Sequence, residues 1–151
     1  DADHLIDDYT QIVKEISDTT TVKKFVSGIK ERNEILADFA AGKLEVLTSM
    51  KCLDEGVDVP RSELAIFCAS TGNPRQFIQR RGRILRLHPD KRYAVIHDLV
   101  VAPEVNSAAE NFSLLSGEIR RVRDFARLSE NADYAYNELE EVLSYYNIPL
   151  F

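Results

Sequence analysis

Tryptophan is absent from this 151-residue chain, cysteine occurs twice and methionine once. Two cysteines, Cys52 and Cys68, cannot build a disulfide framework, and neither has a metal-ligand neighbour at useful spacing. The histidines His4, His88 and His97 are too scattered to form a metal cluster. No apolar run approaches ~18 residues, so no membrane span is expected. Nor does a charged-then-apolar leader open the sequence, and a cytoplasmic location is expected. A GxxxxGK[ST] loop is also missing, so this chain alone does not cradle a triphosphate by that route. It begins at Asp1 rather than Met, which leads us to expect a piece of a longer chain.

What is present describes an ordinary globular protein: 44% apolar and 29% charged residues. The length favours a single domain, able to bury roughly two-thirds of the surface its unfolded form exposes. The net charge of −6 argues on its face against a protein that coats nucleic acid. Its distribution does not. Residues 1–40 carry nine acids and five bases, 41–74 five and three, and 104–151 nine and four. Residues 75–103 reverse the sign, with seven bases against Asp90 and Asp98. The positive charge is concentrated in one short segment of an acidic body.

Leu5, Ile6, Tyr9, Ile12, Val13 and Ile16 recur at three and four, which predicts an amphipathic helix over 4–16. The β-branched stretch 19–26 predicts a strand. A helix from about 30 to 41 follows, with Ile35, Leu36 and Phe39 inward and Gly42 as its stop. Apolar strands are predicted at 44–49, 64–69 and 92–100, with a helical turn over 50–55. Pro74 suits the first turn of a helix over 74–83. Helices alternating with strands too continuous for a half-exposed sheet point to a parallel α/β layer. After Pro103, Val105, Ala108, Phe112, Leu115, Ile119, Val122 and Ala126 predict one long helix with a buried stripe. Leu128, Ala132, Ala135, Leu139, Val142 and Tyr146 restart the pattern in a shifted phase, with Ser129 and Asn131 as candidate caps at a break. The expected domains are 1–102, α/β, and 103–151, a helical extension.

Two segments carry chemistry. In Gln79-Arg80-Arg81-Gly82-Arg83-Ile84-Leu85-Arg86, Gly82 allows close backbone approach, and Arg83 and Arg86 stand three apart, on one helix face. Guanidinium groups keep their charge and fork onto phosphate oxygens, so such a pair suits a polyphosphate. Taken alone the cluster reads first as a solvated basic face. In Leu53-Asp54-Glu55-Gly56-Val57-Asp58-Val59-Pro60, placed after a strand, Asp58 suits a ribose hydroxyl and Gly56 a close backbone. The same residues also serve as ordinary loop chemistry. Asp54 and Glu55 do not follow a run of strand hydrophobics and are not read as metal-binding acids. Tyr134, Tyr136, Tyr145 and Tyr146 read as helix packing before base stacking, because the surrounding acids repel phosphates.

Together, VLTSMKCLDEGVDVP and QFIQRRGRILR closely resemble motifs V and VI of superfamily-two helicases, in wording closest to subunits of restriction and phage-defence systems and to DEAD/DEAH-type helicases. The resemblance covers roughly residues 20–102. It implies a parallel-sheet, RecA-like C-terminal helicase domain that packs against an N-terminal RecA-like lobe, with ATP between them. That absent lobe would hold most of the ATP and the Mg2+. The resemblance makes Arg83 and Arg86 the arginine fingers and sets Gln79 near the γ-phosphate. Arg80 would bridge motifs V and VI, Gly56 and Asp58 would face the ribose and cleft, and Thr48 and Ser49 would touch the nucleic-acid backbone.

Met50 and Gln79 stand where DEAD-box proteins usually have Thr and His, which moves the expectation from RNA unwinding toward DNA translocation. The family's first strand, carrying motif IV, is expected to be missing, with its exposed edge covered by the tail or a partner. The expected function is the C-terminal lobe of an ATP-dependent DNA helicase or translocase, inactive alone. The rivals are a non-catalytic module that binds nucleic acid or phosphate and, for 103–151, a docking module for a nuclease or specificity subunit.

Overall fold

In the computed structural model, which describes residues 2–50, 57–68, 74–107 and 110–148, β1 (Val22–Phe25) and β2 (Val46–Ser49) lie side by side and parallel. Val22 is paired with Val46, and the register runs on to Phe25 and Ser49. Parallel neighbours need a crossover between them. Here α2 (Arg32–Ala40) supplies it, turning Ile35 into the core and Leu36 and Phe39 against it. Gly42 stops α2 as predicted. At φ 74° it lets Lys43 N–H reach the Asp38 carbonyl at 2.9 Å and its own N–H reach Phe39 at 3.1 Å. These two reversed bonds satisfy carbonyls that the helix end leaves open.

The helix α1 (Ala2–Ile16) forms where its periodicity predicts and packs on β1 and β2. The expected six-residue buried face is narrower than that. Ile6 is buried and Val13 half-buried, while Leu5, Tyr9, Ile12 and Ile16 are exposed, Ile16 at 81%. The half-buried Thr10 lies between Ile6 and Val13, so the covered stripe runs one residue to the side of the apolar one.

β3 (Leu64–Phe67) and β4 (Val95–Asp98) form a second two-stranded sheet. Val95 N–H bonds to the Glu63 carbonyl and Leu99 N–H to that of Phe67, so partner numbers rise together and the strands run parallel. The fold class is therefore α/β with parallel strand pairs. The prediction of strands covered on both faces does not hold for β3, where Leu64 at 55% and Ile66 at 57% face outward. A run of apolar residues marks burial on two faces only where a layer stands on each side. Around Phe25, Ile35, Leu44, Val57, Val59 and Ile84 a core gathers, with Ala65, Ala94 and Ile96 against it. The predicted helical turn over 50–55 lies almost wholly outside the described residues.

Two compact units divide the chain: Asp1–Ala65 with Arg75–Ile96, and Ile66–Pro74 with His97–Phe151. In the second, a 3-10 turn (Val105–Ser107) precedes α4 (Phe112–Ala126) and α5 (Ala132–Ser144). The predicted long helix thus starts later. Leu115, Ile119, Val122 and Ala126 turn inward, Val105 and Phe112 are exposed, and Ala108 lies outside the described residues. Leu139 and Leu143 are buried against Ile119, Val122, Tyr136 and Ile148. Of the two candidate caps, Asn131 occupies the position before α5 without a side-chain bond to the helix. Ser129 closes α4 instead, its hydroxyl donating to the Ala126 carbonyl at 2.8 Å.

The second unit also buries an ionic triad that the sequence did not signal. Arg121 on α4 pairs with Asp98 at the end of β4 and, at 2.5 Å, with Glu118 one turn earlier. Glu118 accepts Val101 N–H as well. Burial pushes the Asp98 carboxyl above its ordinary pKa; Arg121 opposes the shift and Glu118 adds to it. For Arg121 burial acts downward, but the bonds to Asp98 and Glu118 outweigh it and its pKa is raised.

Candidate functional site

The helix α3 (Pro74–Ile84) begins at its proline, as predicted. Phe77 and Ile84, seven residues apart, are buried and anchor one face, which leaves Gln79 and Gly82 exposed and Arg80, Arg81 and Arg83 half-buried. Because α3 ends at Ile84, Arg86 is not on its face; it lies in the coil just beyond. The two arginines nevertheless converge. Arg83 Nη1 donates to the Val57 carbonyl, and Arg86 Nη1 pairs with Asp58 Oδ2. Helix end and loop thus meet at successive residues, 57 and 58. A Cβ at Gly82 would meet nothing within 4 Å, so no described residue requires the close approach that a glycine permits.

The Arg86–Asp58 pair is half-exposed, at 50% and 49%. Pairs in such surroundings contribute roughly 0–1 kcal/mol. Guanidinium groups fork onto carboxylate and phosphate oxygens alike.

Gly56 lies outside the described residues. Thr48, at the carboxyl end of β2, shares a 2.5 Å hydrogen bond with Thr10 of α1. Since Thr10 donates its only hydroxyl proton to the Ile6 carbonyl, Thr48 is the donor of that bond. Ser49 Oγ is buried and has no hydrogen-bond partner among the described residues. Of the eight residues singled out from the sequence, the structure therefore brings Arg83, Arg86 and Asp58 together at one loop, and Thr48 and Ser49 at one strand end.

Lys91 was not singled out beyond its charge. Its ammonium donates to three carbonyls: Pro60 at 2.6 Å, Ile84 at 2.7 Å and Ser62 at 3.1 Å. Desolvation lowers its pKa, against the charge of Glu63, which raises it. The acceptors are backbone atoms, to which no residue pattern points, so only the placement of a lysine at the close of the turn over 88–91 could have drawn attention to it. Arg61 holds the far side of the same loop, donating to the Ala40 carbonyl at the end of α2 at 3.0 Å.

Comparison with known proteins identifies the family. Residues 8–88 match the family described as the helicase conserved C-terminal domain. Among curated proteins, the DNA 3'-5' translocase XPB2 of Sulfurisphaera tokodaii is 44% identical over 79 residues, 51% of this chain and 18% of that protein. A Dicer-like protein 2 of Phaeosphaeria nodorum is 37% identical over 70 residues, 44% of this chain and 5% of the relative. The putative ATP-dependent helicase IRC3 of Saccharomyces cerevisiae is 36% identical over 75 residues, 50% and 11%. The chain thus spans less than a fifth of the length of each.

Proposed function

Because the chain belongs to the helicase conserved C-terminal domain family, we propose that it is the C-terminal lobe of an ATP-dependent DNA helicase or translocase. The observation that carries this reading is the convergence of Arg83 and Arg86 on residues 57 and 58, with the Arg86 guanidinium half-exposed. Arginines supplied across a domain boundary stabilise the charge that develops on transferred phosphoryl oxygens. In this reading Arg83 and Arg86 leave Val57 and Asp58 for the γ-phosphate when the N-terminal lobe closes with ATP, and hydrolysis returns them.

Gln79, exposed on α3, faces the same phosphate. Asp58, once released by Arg86, is free for the ribose beside Gly56, and Arg80 ties motif VI to motif V. Guanidinium donors suit phosphate oxygens. In this reading the N-terminal lobe holds the Mg2+ and most of the ATP, and hydrolysis requires both lobes.

Thr48 and Ser49 form this lobe's part of the nucleic-acid track. A phosphate oxygen only accepts, so Thr48 contacts it by exchanging Thr10 for it. DNA is favoured by the name of the DNA 3'-5' translocase XPB2; RNA is the second reading. Stimulation of ATPase activity by duplex DNA but not by RNA supports the first. Residues 1–102 constitute the motor lobe and 103–151 an extension that docks a nuclease or specificity subunit. Limited proteolysis of the full-length protein near Pro103 tests this, because a segment that instead covers the sheet resists cutting there. No helix among the described residues is long and apolar enough to cross a membrane.

The test is Arg86→Ala in the full-length protein. ATP turnover should fall by about 10³-fold or more, with the circular dichroism spectrum unchanged. Undiminished turnover removes the finger assignment, whereas no turnover in the wild-type full-length protein leaves the rival, a phosphate-gripping module without a second lobe. Absence of a GxxxxGK[ST] loop and a DExx run N-terminal to this segment in the full-length sequence would favour that rival too.

A further inference from the structure

We propose that Lys91 is the positioning residue of this site, its ammonium clamping the carboxyl end of α3 to the loop that carries Asp58, so that Arg83 and Arg86 stay in register. The proposal rests on the arginine reading above and adds the element that holds the arginines in place.

An ammonium has three protons and no lone pair. Those of Lys91 meet three carbonyls, one from Ile84, the last residue of α3, and two from Pro60 and Ser62. Ile84 follows Arg83 directly and precedes Arg86 by two; Pro60 follows Asp58 by two. Carbonyls at the end of a helix have no partner within it and favour a cation. A tight turn sets the lysine in place: Lys91 N–H bonds to the His88 carbonyl at 3.0 Å, and Asp90 N–H to His88 Nδ1 at 3.3 Å.

The clamp differs in kind from the bonds it supports. Arg83–Val57 and Arg86–Asp58 also join α3 to the loop, but both are lost whenever the guanidiniums turn to a phosphate. The three Lys91 bonds use no arginine atom and persist through that exchange. Without them, helix end and loop would separate at the moment their geometry matters.

Steady-state ATPase kinetics of the full-length protein test this. Lys91→Met should lower kcat about a hundredfold, the cost of a misplacement near 1 Å, and leave the KM for ATP unchanged. Lys91→Arg keeps the charge, but a planar fork does not meet three carbonyls arranged about one nitrogen, so its kcat should fall between Met and wild type. A purely structural lysine predicts the opposite split: a lower melting temperature, with wild-type kcat once turnover is scaled to the folded fraction. That result for Lys91→Met, or for Lys91→Arg if the Met variant does not fold, overturns the proposal. Arg86→Ala in the same assay separates the two ideas. If it loses turnover while the Lys91 variants do not, the clamp alone fails; if it keeps turnover, the arginine reading fails.

Discussion

Gly42→Ala offers a calibrated test of how the loop beneath the arginines is held. Gly42 sits at φ 74°, and a Cβ there would come within 2.6–2.8 Å of the Arg61 guanidinium. Gly28 has nearly the same conformation, φ 80°, but a Cβ there meets nothing within 4 Å. The pair separates backbone strain from contact. Strain in the left-handed region costs roughly 1–2 kcal/mol for a residue with a side chain. The reduced freedom of the unfolded chain returns ~0.4–1 kcal/mol of that. Gly28→Ala should therefore destabilise by about 0.5–1 kcal/mol. Gly42→Ala carries the same strain and must also move the end of a flexible side chain. That displacement breaks the bond from Arg61 to the Ala40 carbonyl, worth a further ~0.5–1.5 kcal/mol. Urea unfolding of both variants and of Arg61→Ala measures each contribution. In the Arg61→Ala background the two glycine substitutions should cost the same. If Gly42→Ala still costs more there, or costs no more than Gly28→Ala in the wild-type background, the contact is not what distinguishes the two positions.

In the second unit, Leu143→Ala removes one of the most completely buried side chains and should cost roughly 2–5 kcal/mol. Leu128→Ala, at a position 68% exposed, should stay within ~0.5 kcal/mol; equal effects in thermal unfolding would contradict the assignment of that core. The raised pKa of Asp98 sets a sign for pH dependence. Its contribution to stability is fully present below the ordinary value of 3.8 and is lost as pH rises through the elevated folded-state value. Asp98→Asn should therefore gain stability relative to wild type as pH climbs from 3 toward neutrality in urea titrations. A relative loss over that range would show that the bond to Arg121 outweighs the burial of the charge.

Element order and type were legible in the sequence wherever a period or a stop residue was strong. The spacing of Ile6 and Val13, the proline opening α3 and the glycine closing α2 each fix a local conformation through chemistry the chain carries itself. Extent of burial was not legible, because it depends on a second layer. Leu64 and Ile66 satisfy the pattern of a doubly covered strand equally well with one face open. Helix ends were legible only to within a few residues, so Arg86 was placed on a helix that stops at Ile84. The meeting of Arg83, Arg86 and Asp58 followed from the resemblance to helicase motifs V and VI and not from spacing alone. Lys91 was not foreseeable, since its partners are peptide carbonyls that any residue provides. The triad of Asp98, Glu118 and Arg121 escaped for a different reason: 20 residues separate Asp98 from Glu118, and only the folded chain closes that distance.

The proposed finger requires a forked guanidinium at position 86 and not merely a positive charge, and single-turnover ATP hydrolysis by the full-length Arg86→Lys variant separates the two. The substitution keeps the charge and the pairing with Asp58 but loses the fork. The hydrolysis rate should collapse toward that of Arg86→Ala while ATP still binds; a rate equal to wild type would contradict the account.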